Sequence, residues 1–457
     1  MALQLKHRGS RIREIRTIVQ ANLHSHWPSI GSQPYSRGHE DVPKGTIVIR
    51  EADVVIVGAG IAGGALATIL GRCGISVLVL ERSLVHRDRV RGEYLAAWGV
   101  EEAQHLGLLD VLVAAGGHYA PLSVPYGEGV APATARARAL DLRKLLPSVQ
   151  GALTFGHPRA SQALDDAAEL AGATVLRGVE RIAVTSGEPP TISFMIEGQI
   201  REVRPRLIVG ADGRGSDVAR QIGAQVETAP VHHLLAGLLV DGVDAWPDEE
   251  FSMGTEGDVM FFVFPQGNGR ARLYLGYGLD QRGRFSGVGS ERRFLDAFRL
   301  SSLPDKEMFA SGRPAGPCHG YPNADTWIDA PMAPGVVLIG DAAGHNDPTI
   351  GQGLSIALRD ARLVHETLLG SKQWTTEIFL PYASERRTRM RRLRFTAGQF
   401  SILRAEFTEA ARERRRLASQ RIAADRNAAL PLLIPAKGPF GLPDHVFEQA
   451  AWDALMK

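Results

Sequence analysis

Cysteine is almost missing. The 457-residue chain carries two, Cys73 and Cys318, too few for a disulfide framework or a four-cysteine zinc site. A reducing compartment, the cytoplasm, is therefore expected. Charge of one sign is missing too: 52 Lys and Arg face 50 Asp and Glu, a net charge of +2. A dedicated nucleic-acid binder shows a basic footprint, so no nucleic-acid partner is expected. Nor is any run suited to a bilayer. The longest stretch free of both charge and histidine, Val54 to Gly71, contains Gly58, Gly60, Gly63, Gly64 and Gly71, which fits a strand, a turn and a helix better than a spanning helix. No integral membrane association is expected. A His-Glu-x-x-His helix and a Gly-x-Ser-x-Gly elbow are both absent, which removes the usual zinc-protease and serine-hydrolase signatures. His232 and His233 are read on a strand, facing opposite sides and unable to chelate together, and no metal site is expected. Cys73 is read as a buried packing residue.

Apolar residues, at 44%, and charged residues, at 22%, are present in ordinary globular proportion. Glycine is abundant, with 50 residues, and it falls in clusters where backbone turns sharply or meets a ligand. The length suggests about three domains. Residues 1–39 hold six Lys and Arg against one acid and have no apolar signal core, so 1–48 is read as a disordered or accessory extension.

Ala52–Val57 and Ile75–Leu80 read as buried strands flanking a small-residue helix, Ile61–Arg72. A helical pattern covers Gly99–Ala114, and Pro158–Ala171 forms another helix, stopped by Gly172. Arg206–Gly210 and Gly335–Ile339 are further buried strands, the second leading to a helix from Gly353 to Leu369. Leu234–Val240, Val259–Phe264 and Ala271–Tyr277 read as an antiparallel sheet, with Asn268-Gly269 at a hairpin turn. From Glu385 to Arg421 the chain is helical and basic. Met390, Leu393, Ala397, Phe400, Leu403 and Phe407 form a stripe, while Arg386, Arg387, Arg391 and Arg394 lie on a solvated face.

Three glycine-rich turns carry the chemistry. In Gly58-Ala59-Gly60-Ile61-Ala62-Gly63, Gly58 permits the turn, Gly60 admits a pyrophosphate and Gly63 allows close helix packing. The helix N-terminus offers free N–H groups to the diphosphate. Glu81, with Arg82 beside it, ends the next strand and suits unmodified ribose hydroxyls, as in FAD or NAD. The second turn is Gly210-Ala211-Asp212-Gly213, and the third Gly340-Asp341-Ala342-Ala343.

This ordered set resembles the FAD-dependent monooxygenases of the p-hydroxybenzoate hydroxylase type, the single-component aromatic hydroxylases, over roughly residues 50–370. The resemblance implies an α/β fold: a Rossmann-like parallel FAD sheet with an inserted, mostly antiparallel substrate domain and a C-terminal helical region. The boundaries read as 49–227 and 331–375 for the FAD domain, 228–330 for the substrate domain and 376–457 for the helices. It implies that Gly58, Gly60, Gly63 and Glu81 serve the ADP half, that Gly340-Asp341 binds the ribityl chain, and that Asp212-Gly213 lines the groove for FAD and NAD(P)H. Pro348, Gly351, Gly353 and Leu354 would face the isoalloxazine. Arg91 and Arg159 match positions where the family often places FAD-contacting arginines. His345 and Asp347 are the acid–base candidates nearest the flavin, in a loop where Asp347 departs from a common apolar or prolyl residue. A Trp-x-Trp-x-Ile-Pro stretch is absent, which weakens a halogenase reading, and there is no second dinucleotide fingerprint.

The implied activity is insertion of one oxygen atom from O2 into an apolar, aromatic or polycyclic substrate through a flavin C4a-hydroperoxide, with NADPH or NADH as reductant. Phe262 and Tyr274 on neighbouring strands are the substrate candidates. Two alternatives stay open: a double-bond reductase similar to geranylgeranyl reductases, and an FAD-binding redox protein without turnover. The oligomeric state is expected to be a monomer or homodimer.

Overall fold

The computed structural model describes residues 47–48 and 52–457. A six-stranded sheet runs in the spatial order Met332–Ala333, Val336–Leu338, Leu207–Gly210, Val54–Val57, Val77–Glu81, Thr174–Arg177. Every neighbouring pair is parallel except the Met332–Ala333 edge. Side chains alternate between two layers. Val54 and Ile56 join the helical side, where Ile61–Arg72 packs on His157–Leu170 and Gly353–Leu369. Val55 and Val57 meet Ile192, Phe194 and Val203 of a small sheet on the other side. Helix contact is close because the residues are small: a Cβ on Gly64 would stand 2.9 Å from Leu164 Cβ.

The small sheet comprises Glu180–Thr185, Thr191–Ile196 and Gln199–Val203, with Ile47–Val48 added in parallel at its edge. The expected extension over 1–48 otherwise lies outside the described residues.

A second large sheet holds eight strands. Its middle is antiparallel: Leu234–Asp241, Arg270–Tyr277, Val259–Pro265 and Glu250–Glu256. Two of its strands, Leu122–Val124 and Leu140–Asp141, come from within 49–227. Glu250–Glu256 was not anticipated, since Glu-Phe-Ser-Met-Gly-Thr-Glu lacks an apolar run. Alternation sorts the aromatics. Phe261 packs with Phe298 on the outer, helix-covered face, while Phe262, Phe264 and Tyr274 face the FAD-type sheet.

Five expectations need correction. The pattern over Gly99–Ala114 is two helices, Ala97–His105 and Leu109–Ala114, separated where Gly107 takes φ +62°. The basic tail is likewise two helices, Leu380–Arg404 and Glu409–Ala424, the second capped by Thr408, which accepts from the Ala411 N–H. Within it, Arg386 is not on a solvated face but is 1% exposed. His232 and His233 precede the strand Leu234–Asp241, and their rings lie 5.7 Å apart rather than on opposite faces. Cys73 is exposed, with its thiol 3.4 Å from His365 Nε2.

Among the described residues, no helix is long and apolar enough to cross a membrane.

Candidate functional site

A cavity of about 1440 Å³ follows the C-terminal ends of the parallel strands and continues to the inner face of the eight-stranded sheet. Open α/β sheets bind ligands at this end. The volume exceeds what one drug-sized ligand requires.

The first glycine turn builds the near end by a division of labour. Gly58 takes φ +103°, and a Cβ there would stand 2.9 Å from Asp212 Cα. A Cβ on Gly63 would run into the Gly58 carbonyl, so Gly63 sets helix-to-turn packing and does not line the cavity. A Cβ on Gly60 meets nothing within 4 Å. Its backbone is open to the cavity at the start of the helix, where N–H groups lack intrahelical partners. This is the cradle a diphosphate needs.

Glu81 and Arg82 line the same end. Glu81 accepts from the Ala59 N–H at 2.9 Å and the Ser83 N–H at 2.7 Å. Burial raises its pKa, but these amide bonds outweigh it and hold the carboxyl below the usual value. The group is a fixed anionic acceptor, as ribose hydroxyls require.

Asp212 and Gly213 line the cavity, yet the Asp212 carboxylate is committed elsewhere. It accepts from Ser216 Oγ at 2.5 Å and from the Asp217 and Val218 N–H groups at 2.8 and 3.2 Å. It organises the start of helix Asp217–Gln221. Gly340 and Asp341 line the middle of the cavity. Asp341 Oδ2 lies 3.3 Å from Nε of Arg214, a cavity residue the sequence reading missed. Arg91 also lines the wall; burial and the neighbouring Arg214 charge lower its pKa. Arg159 lies on helix His157–Leu170 and is not in the lining.

Pro348, Gly351, Gly353 and Leu354 line the next segment. Gly351 adopts φ +64°, and a Cβ there would press to 2.9 Å from the Tyr94 ring. Behind the loop, Gln352 Oε1 accepts from Trp98 Nε1 at 2.6 Å and Gln352 Nε2 donates to the Pro435 carbonyl at 3.2 Å. The loop therefore enters helix Gly353–Leu369 in one held conformation, with the Gly353 backbone open.

His345 and Asp347 do not line the cavity, whereas Asn346 does. His345 Nδ1 lies 2.8 Å from Thr326 Oγ1. Burial, with the nearby Arg214 charge, lowers its pKa and keeps the ring neutral. Asp347 accepts from the Thr349 N–H at 2.8 Å and caps the short turn Pro348–Ile350. Both side chains shape the loop.

The third turn is held from behind by a cluster hidden in the basic tail. Arg386 donates to the carbonyls of Ala343, Gly340 and Gly344 at 2.7, 3.1 and 3.0 Å. Asp360 accepts the Gly340 N–H at 2.8 Å and pairs with both Arg386 and Arg389. Burial would raise the Asp360 pKa, but the two guanidinium groups reverse this and lower it.

At the far end the wall is aromatic. Phe262, Phe264 and Tyr274 line it, with Tyr94 stacked on Phe264 at 4.9 Å between ring centres. The ADP-type and aromatic ends thus belong to one continuous cavity.

The chain is similar to known proteins in both sequence and structure. Residues 51–395 match the family described as FAD binding domain. A digeranylgeranylglycerophospholipid reductase of Methanococcoides burtonii is 28% identical over 323 residues, covering 67% of this chain and 71% of that protein. The squalene monooxygenase of Mus musculus is 26% identical over 335 residues, 71% of this chain and 56% of that protein. In structure, the p-nitrophenol 4-monooxygenase of Pseudomonas putida superposes with a TM-score of 0.73 at 19% identity, covering 85% of this chain and 98% of that one. The chain belongs to the FAD binding domain family and is an FAD-dependent oxidoreductase.

Proposed function

We propose that the protein is a monooxygenase that inserts one atom of O2 into an apolar, aromatic or polycyclic substrate. The balance is substrate C–H, O2, NAD(P)H and a proton giving substrate C–OH, water and NAD(P)+. The observation that carries the reading is the single cavity that joins the Gly60–Glu81 end to the Phe262–Tyr274 end.

FAD, when bound, supplies the hydride acceptor and the oxygen-activating chemistry. The chain does the rest. Glu81 and the Gly58–Gly63 turn bind the ADP half, and Asp341 accepts from ribityl hydroxyls. The N–H groups at the start of Gly353–Leu369 oppose negative charge on the ring system, a preorganised electrostatic role. Phe262, Phe264 and Tyr94 keep water from the reacting atoms and orient the substrate by shape.

A reduction of prenyl or other double bonds is the second reading, favoured by the similarity to the digeranylgeranylglycerophospholipid reductase of Methanococcoides burtonii. Oxygen uptake separates the two. With a panel of aromatic and isoprenoid candidates, the proposal expects NAD(P)H oxidation and matched O2 consumption, both stimulated by substrate. Stimulated NAD(P)H oxidation that continues unchanged without O2 supports the reductase.

A further inference from the structure

A second cavity, of about 450 Å³, shares no lining residue with the first. It lies among the end of helix Ile61–Arg72, the end of Ala97–His105 with the following Leu106, and the last turns of Gly353–Leu369. The first and third of these helices begin at the large cavity. Twelve helical residues at about 1.5 Å each set the second cavity roughly 18 Å from the Gly60 end. Its volume falls within the range of about 300–1,000 Å³ usual for small-molecule sites. Its wall fits that use as well, with apolar Ile69 and Leu106 beside a few converging polar groups.

Two of those groups are a nucleophile and a base. Cys73 caps the end of helix Ile61–Arg72 and is exposed. Its Sγ lies 3.4 Å from His365 Nε2. With the ring proton on Nδ1, Nε2 accepts from the thiol. Burial lowers the His365 pKa, with the Glu366 charge opposing, so the ring is neutral and able to take a proton at neutral pH. A helix dipole favours anions at the N-terminus, so formation of a thiolate at Cys73 falls to the imidazole. Among the described residues, no group of three His, Cys, Asp or Glu is placed to hold a metal ion. A cation completes the set. Arg72 gives Nη1 to the Gly107 carbonyl at 2.9 Å and has further N–H groups to offer. Arg362, by contrast, is held by Glu102 and Glu366.

We propose that Cys73 is a covalent acceptor site for small apolar α,β-unsaturated carbonyl compounds, with His365 as the base and Arg72 facing the carbonyl oxygen. The apolar body of the electrophile rests on Ile69 and Leu106. Sγ attacks the β-carbon; a C–S bond forms and the C=C π bond is lost. The thiol proton passes to His365 Nε2, and the enolate charge develops on the oxygen beside Arg72, an electrostatic stabilisation. The proton then moves from His365 to the α-carbon. The product is a thioether, and the addition consumes no oxidant or reductant.

The test is the reaction of the FAD-loaded full chain with N-phenylmaleimide at neutral pH, read by rate and by peptide mass analysis. One adduct per chain is expected, on Cys73. Burial pushes the Cys318 thiol up to about 12, so that residue should stay unmodified. The rate should level off with probe concentration, because binding precedes bond formation, and the unreactive N-phenylsuccinimide should slow it. His365→Gln should lower the limiting rate about a hundredfold with half-saturation unchanged. Arg72→Gln should lower it by at least about tenfold. If His365→Gln does not fold, the saturation and competition arms decide. A rate that rises linearly with probe and equals that of N-acetylcysteine shows an exposed thiol only and overturns the proposal. Labelling of Cys318 in place of Cys73, or a folded His365→Gln variant that reacts unchanged, overturns it too. Oxygen consumption plays no part, so failure here is distinct from failure of the monooxygenase reading.

Discussion

Arg386 Nε donates to Asp360 Oδ2 at 3.1 Å, and both side chains are at most 2% exposed. Between them they take up one N–H and three carbonyls of the Gly340–Gly344 segment. The helix Leu380–Arg404 therefore supports the wall of the cavity rather than being an appendage. Its arginine fixes the turn that presents Asp341 to the cavity, so the proposed cofactor role of that turn links helix packing to cofactor affinity.

Arg386→Met should accordingly cost about 3–5 kcal/mol of stability, the cost of leaving a buried partner unpaired. Urea unfolding reads this directly. FAD retention should fall as well, although Arg386 does not line the cavity. Unchanged stability and flavin content would show that the turn holds its shape unaided.

The glycines of the first turn should separate by role. Gly60→Val should leave the apoprotein's thermal midpoint unchanged, because a Cβ there meets nothing within 4 Å. The variant should nevertheless elute from gel filtration without FAD, since the branched side chain occupies the diphosphate's place. Gly63→Val should instead prevent folding, as its Cβ runs into the Gly58 carbonyl. If Gly60→Val remains yellow, the cradle is misplaced.

Adjacent aromatics on one strand should also behave oppositely. Phe261→Ala opens a hole in the outer core and should lose about 3–5 kcal/mol in urea unfolding. Phe262→Ala removes a cavity wall and should chiefly raise KM and uncouple NAD(P)H oxidation from product. Equal effects on stability and KM in both variants would contradict the assignment of faces.

Asp325 provides a pH test. Burial, with the negative charge of Asp347 adding to it, pushes its carboxyl up to about 7. In the unfolded chain an aspartate titrates near ~3.9. Between these values the folded state holds the extra proton, so stability falls as pH rises from about 4 to about 7. The loss is at most about 4 kcal/mol for a shift of about three units. Asp325→Asn cannot titrate and should lack this slope. Urea midpoints of both proteins from pH 4 to 8 should diverge up to pH 7 and run parallel above it. Parallel curves throughout would show that Asp325 titrates alike in both states.

Much of this was legible in the sequence because local rules and tertiary packing agree there. Helices Ile61–Arg72 and Gly353–Leu369 have the limits their glycines and apolar spacing announce. The cavity-facing residues Gly60, Glu81, Asp341 and Leu354 sit where strand ends meet helix starts. What the pattern hid was side chains whose partners lie far along the chain. Arg386 reads as a solvated base because Asp360 is 26 residues away. Arg214 belongs to no periodic stripe and acquires meaning only against Asp341. His345 and Asp347 attract attention as acid–base types, yet their hydrogen bonds turn them into the loop, a direction that composition does not encode.

The measurement that bears most directly on the central claim is mass analysis of the product formed by the holoenzyme with NAD(P)H under heavy-isotope O2. The account predicts that one heavy oxygen atom enters each product molecule and that none enters from labelled water. A product carrying two added hydrogens and no label, formed equally well without O2, would contradict it.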